Sequence, residues 1–215
     1  MTPTSSERGQ ETRERLLDAA AQLIVEDGWG AVTTRRVADR AGLRPGLVHY
    51  HFRTVEDLLI EAALATARRE ATAAADALSQ TADADEGITQ VLEMMSSYSA
   101  EDPATVLFSE MLLASTRIER LRSELADLMA EWRTGVADWL RSADASRDAA
   151  AGPDGGGDGG TAGRDGYEAT AMLLGAALDG LVLHRLIDPA LAEISVTEPL
   201  ARLAGAAGRR DPDDS

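Results

Sequence analysis

Residues 33–52 read TTRRVADRAGLRPGLVHYHF, and the fold turns on how this run is divided. Two short helices are predicted, joined at Ala41-Gly42-Leu43. Thr33 is a natural N-cap, because its hydroxyl accepts a free amide hydrogen of the first turn. Val37, Ala38 and Ala41 then fall at i, i+1 and i+4, which makes one narrow apolar face. Gly42 can enter the left-handed region that ends a helix and turns the chain sharply. The second helix starts at Arg44-Pro45, since a first-turn proline loses no intrahelical hydrogen bond. Val48 and Phe52, four apart, point inward, and Arg44, Pro45, His49 and Tyr50 are left on an outer face. A helix, a tight glycine turn and a second helix carrying arginine and aromatics outward form a helix-turn-helix pattern.

The rest of the chain bounds what that pattern can serve. With 215 residues the protein suits one or two compact domains with a buried core. It has no cysteine, which excludes disulfides, thiolate zinc sites and cysteine nucleophiles. The opening MTPTSSERGQETRER lacks the apolar segment of a signal peptide, and no stretch approaches ~18 uninterrupted apolar residues. A cytoplasmic protein without a membrane span is therefore expected.

The net charge of −16 sits badly with a nucleic-acid partner until its distribution is followed. Residues 1–55 hold eight arginines and seven acids, a balance of +1, whereas residues 56–215 hold thirteen arginines and thirty acids, a balance of −17. The acid lies outside the proposed reading head, where it repels phosphate and orients the molecule on DNA. All 21 basic residues are arginine, which together with the alanine and glycine excess points to a GC-rich bacterial genome.

Helical spacing continues on both sides of the motif. Residues 1–9 are polar and expected to be disordered. From about Gln10 to Asp27, Leu16, Leu17, Ala20, Leu23 and Ile24 recur with helical period, and Gly28 closes that helix. Trp29 is expected to plug the three-helix core. Thr54-Val55-Glu56-Asp57 has the form of a capping box and opens a long helix to about Leu78, suited to connecting a head to a body. After a polar break at residues 81–86, Ile88, Val91, Leu92 and Met95 mark a fifth helix. Asp102-Pro103 opens a sixth, with Val106, Leu107, Met111 and Leu112. Ile118, Leu121, Leu125, Leu128, Trp132, Val136 and Trp139 describe a seventh, to about Arg141.

Residues 142–165 are then predicted to be a flexible loop, because eight of the fifteen residues in 152–166 are glycine and cannot offset their ordering entropy by burial. The loop formally satisfies G-x-G-x-x-G at residues 155–160. No strand precedes it, and Asp154 and Asp158 would repel a phosphate, so dinucleotide binding is rejected. An eighth helix spans residues 167–187, and Thr197-Glu198-Pro199 can cap a ninth. With no strand-like alternation, the prediction is an all-α fold of about nine helices. Its parts are a tail (1–9), a helix-turn-helix head (10–53), a helical body (54–206) and a frayed end (207–215).

The run at residues 33–52, with a helix before it and T-V-E-D-L-L opening another after it, resembles the DNA-binding domain of TetR-family transcriptional regulators. The resemblance covers about residues 10–62. It implies DNA contacts at Thr34 and Arg35, and at Arg44, Pro45, Gly46, His49, Tyr50 and His51 on the recognition helix. The chemistry agrees: arginine reads guanine bidentately, tyrosine and histidine bond phosphates or base edges, and small groups can touch the thymine methyl. Two positions depart from the family pattern. Val55 stands where a phosphate-binding lysine is common, and His49 where tyrosine is common. His49 and His51 project about 200° apart on a helix and cannot share a metal ion, so no metal or cofactor is expected.

The resemblance also implies an effector cavity among the body helices. Met94, Met95, Tyr98, Phe108, Met111, Met129, Trp132, Trp139 and Met172 form a bulky, soft set suited to an apolar or aromatic small molecule. Ordinary core packing is the plainer role for any one of them. Family members dimerise through their last two long helices. Here Leu173, Ala176, Ala177, Gly180, Leu181, His184 and Ile187 share one side of the eighth helix, and Gly175 adds a further small residue. His184, alone on that apolar face, suits a core or interface histidine. A homodimer fits a palindromic operator with half-sites about one DNA turn (~34–36 Å) apart, or a multiple of it. The expected function is a ligand-released repressor of transcription. The alternatives are an activating or ligand-independent DNA binder, and an all-helical enzyme, for which the chain offers no nucleophile–base set.

Overall fold

The computed structural model describes residues 4–81, 86–87, 89–90, 93, 101–151, 164–194, 196 and 199. The expected fifth and ninth helices, the glycine tract at 152–163 and the C-terminal end fall wholly or mostly outside these residues. Among the described residues there are seven α-helices and no strand. They are α1 (Ser5–Asp27), α2 (Thr34–Ala41), α3 (Pro45–His51), α4 (Val55–Ser79), α5 (Pro103–Ser115), α6 (Glu119–Ala151) and α7 (Arg164–Ile187). Short 3-10 turns follow α1 (Trp29–Ala31) and α7 (Pro189–Glu193). The fold is all-α, as its sequence pattern predicts.

The chain forms two compact units, Met1–Glu70 with Glu101–Ala126, and Ala71–Ala100 with Asp127–Ser215. This division differs from a boundary at residues 53/54, because α5 and the start of α6 belong to the unit that holds the helix-turn-helix.

In the first unit, α1 begins earlier than its apolar period suggests. The Thr4 hydroxyl accepts from the Glu7 amide at 3.2 Å, and the Glu7 carboxylate accepts from the Thr4 amide at 2.5 Å. This reciprocal box satisfies two otherwise unpaired donors, so residues 5–9 are helical and not the disordered tail expected. The helix ends at Gly28, whose φ of 82° and ψ of 158° only glycine adopts readily. Leu16, Ala20, Leu23 and Ile24 of α1 meet Val37, Ala38 and Ala41 of α2 in the core. Trp29 does not plug that core. It is only half-buried, and its backbone N–H donates to Glu110 of α5 at 2.8 Å. The capping box of α4 is present, with Thr54 N–H to Asp57 at 3.1 Å and Asp57 N–H to the Thr54 hydroxyl at 3.0 Å. Leu58, Leu59, Ile60, Ala62, Ala63 and Leu64 behind it are all buried.

In the second unit, Leu78 of α4, Val136, Ala137, Leu140 and Ala143 of α6, and Ala171 and Leu178 of α7 form the core. The Trp139 indole N–H reaches the Thr81 carbonyl at 3.3 Å. Helix α6 does not stop near Arg141 but runs to Ala151. Alanine-rich residues 142–151 keep helix propensity, Ala143 is buried, and Asp144 accepts from the Tyr167 hydroxyl at 3.0 Å. By length and composition alone, Gly166–Ile187 could cross a membrane, with a mean hydropathy of 1.4. One face of that helix lies in the unit's core through Ala171, Leu178, Val182 and Arg185, and burial raises the carboxyl of Asp179 above its ordinary value.

Candidate nucleic-acid interface

Helix α2 starts at Thr33, whose hydroxyl accepts from the Arg36 amide at 3.4 Å. It closes at Gly42, with φ 65° and ψ 35°. The Leu43 N–H bonds the Ala38 carbonyl at 2.9 Å and the Gly42 N–H bonds Asp39 at 3.2 Å, a Schellman-type stop that reverses the chain. Helix α3 then has only seven residues, too few to persist alone. Val48 and Phe52, at 1% and 3% exposure, fasten its inner side to the core, and the Phe52 N–H closes the last turn on Val48 at 2.8 Å.

The arginines around the motif divide by duty. Arg36 pairs with Asp27 and reaches the Ala31 carbonyl at 3.3 Å. Arg40 bonds Glu26 at 2.9 Å and Gln22 at 3.3 Å, and that contact holds the Glu26 carboxyl below its ordinary value. Arg15 bonds the Ala41 carbonyl at 2.5 Å, and Arg13 pairs with Glu61. These four tie α1 to α2 and α4. Arg35, Arg44 and Arg53 are exposed, although Arg35 has Asp39 at 3.9 Å. The near-neutral balance of residues 1–55 thus conceals arginines that bond within the fold beside others exposed at the motif.

The eight residues named as DNA contacts lie on α2 and α3 or the turn between them. Arg35, Arg44, Pro45, Gly46, His49 and Tyr50 are exposed, while Thr34 and His51 are half-buried. Tyr50 is 80% exposed, and its ring meets His51 edge-on with centroids 5.0 Å apart. Nothing lies within 4 Å of a Cβ built on Gly46, so the start of α3 is open to a close approach. Arg53 was absent from the sequence-derived set. Its only sequence signal was a basic residue directly after Phe52 and two before Val55.

The effector candidates divide between the two units. Met111 is buried and Phe108 half-buried in the first, while Met129 and Trp132 are half-buried in the second. Met172 is 54% exposed on α7. Met94, Met95 and Tyr98 lie outside the described residues. On α7, Leu173 and Ile187 are 62% and 82% exposed. Ala176 and His184 are exposed between them, and Ala177, Gly180 and Leu181 are half-buried. Helix α7 therefore has two apolar sides, one inside its own unit and one open.

Comparison with known proteins agrees with the helix-turn-helix geometry. Residues 16–62 match the family of bacterial regulatory proteins described as the tetR family. An uncharacterized HTH-type transcriptional regulator of Mycobacterium tuberculosis is 24% identical over 142 residues, covering 66% of this chain and 72% of that one. The HTH-type transcriptional repressor KstR2 of Rhodococcus jostii is 41% identical over 66 residues, 28% of this chain and 31% of its own. A solved transcriptional regulator from Streptomyces coelicolor A3(2) superposes with a TM-score of 0.65 at 27% identity, covering 90% of this chain and 98% of that structure. The helix-turn-helix part of the chain, residues 16–62, is thus similar to the DNA-binding part of bacterial regulatory proteins of the tetR family.

Proposed function

We propose that the protein acts in the cytoplasm as a homodimeric repressor, released from a palindromic operator by a small apolar or aromatic effector. The observation that carries the DNA-reading part is the outer side of α3. Arg44, His49 and Tyr50 are exposed there, while the buried Val48 and Phe52 hold the helix in place. An exposed tyrosine beside an arginine and histidines suits base edges and phosphates.

Dimerisation is supported by the open apolar side of α7, since a contiguous apolar stripe on a helix marks an interaction surface. Repression is supported by the name of the Rhodococcus relative, an HTH-type transcriptional repressor. For the effector, Trp132 packs directly on Gly175, whose added Cβ would meet the ring at 3.0 Å. This leaves a half-buried indole in the unit that the family resemblance assigns to ligand. Release requires that the effector bind one conformation of the dimer better than the other.

A duplex selected by the protein from a random DNA pool tests the reading. It should be palindromic, bind one dimer, and be released by compounds that also change tryptophan fluorescence. Selection that returns no common sequence would count against it.

A further inference from the structure

Helix α4 carries two acids one turn apart near its start, Asp57 and Glu61, and an arginine from another helix holds each. Arg120 of α6 pairs with Asp57 and with Glu124, the latter at 2.7 Å. Arg13 of α1 pairs with Glu61. The same Arg13 guanidinium lies 5.1 Å from the centroid of the Phe52 ring. Phe52 is the buried residue that closes α3, and only Arg53 and Thr54 separate it from α4. One side chain of α1 therefore grips both the end of the helix that presents Tyr50 and the second turn of the helix that follows. Arg13 and Glu61 are each about one-third exposed at the side chain.

We infer that Arg13 is a positioning residue for DNA recognition. Held between Phe52 and Glu61, it sets the angle at which α3 meets α4, and so the place of Arg44, His49 and Tyr50 against base edges. The inference rests on reading α3 as the recognition helix. A partly exposed ion pair adds little to stability. A small rotation of α3, however, misplaces every contact on it at once, and the loss multiplies across them. The effect belongs to specific binding alone, because non-specific affinity depends on total charge near phosphate.

Glu61→Ala separates this from a direct phosphate contact by Arg13. It frees Arg13, makes the chain one unit more positive and introduces a good helix former. The full-length protein is titrated by fluorescence anisotropy against two probes at one salt concentration. One is a duplex the wild type selects from a random pool, and the other is a scrambled duplex of equal length. Positioning predicts about a tenfold loss on the selected duplex with scrambled binding unchanged or tighter. Arg13→Ala should lose selected-duplex affinity to a similar extent, and Arg13→Lys should recover part of it. Unchanged or tighter binding of Glu61→Ala to the selected duplex overturns the inference. If Glu61→Ala loses helicity, Glu61→Gln, of equal shape and charge change, carries the test. Tyr50→Ala is run alongside. If it keeps selected-duplex binding, the recognition-helix reading has failed. If it loses binding while Glu61→Ala does not, only the role of Arg13 has failed.

Discussion

At the scale of single residues, Gly28 and Asp57 make the sharpest demands. Gly28 sits at φ 82° and ψ 158°, a region closed to residues with a Cβ, and Glu110 lies within 3.5 Å of where that Cβ would be. Gly28→Ala should lower stability by about 1–3 kcal/mol, measured by urea unfolding, although the substitution improves helix propensity on paper. Asp57 is held below the ordinary carboxylate value of 3.8, first by the Thr54 hydroxyl and then by Arg120 and the Thr54 amide. A lowered folded value means that its contribution is present above 3.8 and is lost as pH falls through that lower value. Wild type should therefore lose stability more steeply than Asp57→Asn below about pH 4, and the two curves should converge in stronger acid. Parallel curves would show that the box contributes nothing.

At the scale of elements, the helix-turn-helix was legible because every rule it obeys is local. Thr33, Gly42, Pro45 and the Val37/Ala38/Ala41 spacing each act within one or two turns. The same kind of rule was present but passed over at Thr4 and Glu7, where a capping box starts α1 inside a segment that composition alone marked as a tail. The apolar period that marks α6 ends at Trp139, and the glycines of 152–166 point to a loop from 142 onward, yet Ala143 and Asp144 are held by contacts within their unit and the helix continues to Ala151. The pairs Arg13–Glu61 and Glu110–Trp29 were not legible at all. They join residues 48 and 81 positions apart, and only packing brings them together. Trp29 shows the converse, since size alone does not decide burial.

Helix α7 carries its own prediction. If its open side is the dimer surface, Leu173→Asp with Ile187→Asp should give monomer by sedimentation velocity, because each places an unpaired charge in a buried apolar contact. The buried Leu178 and Val182 are untouched, so helicity should persist. A variant that remains dimeric would move the interface elsewhere.

At the scale of the whole molecule, the charge distribution shapes how the protein meets DNA. The chain carries −16 overall, yet Arg13, Arg36 and Arg40 pair with acids of the same unit and Arg15 bonds a backbone carbonyl, while Arg35, Arg44 and Arg53 are exposed at the motif. Bulk attraction to the duplex should be correspondingly small, and on the proposed reading the sequence is read by the side chains of α3. If valine at position 55 removes the backbone contact that the resemblance implies for a lysine there, discrimination should rest still more on base edges. The central claim is therefore that the outer side of α3 reads DNA. Anisotropy titration of Arg44→Ala and Tyr50→Ala against the selected duplex tests it most directly. Each should lose about 1–3 kcal/mol of affinity, roughly 5- to 150-fold, with helicity and oligomeric state unchanged. Wild-type affinity in both variants would contradict it.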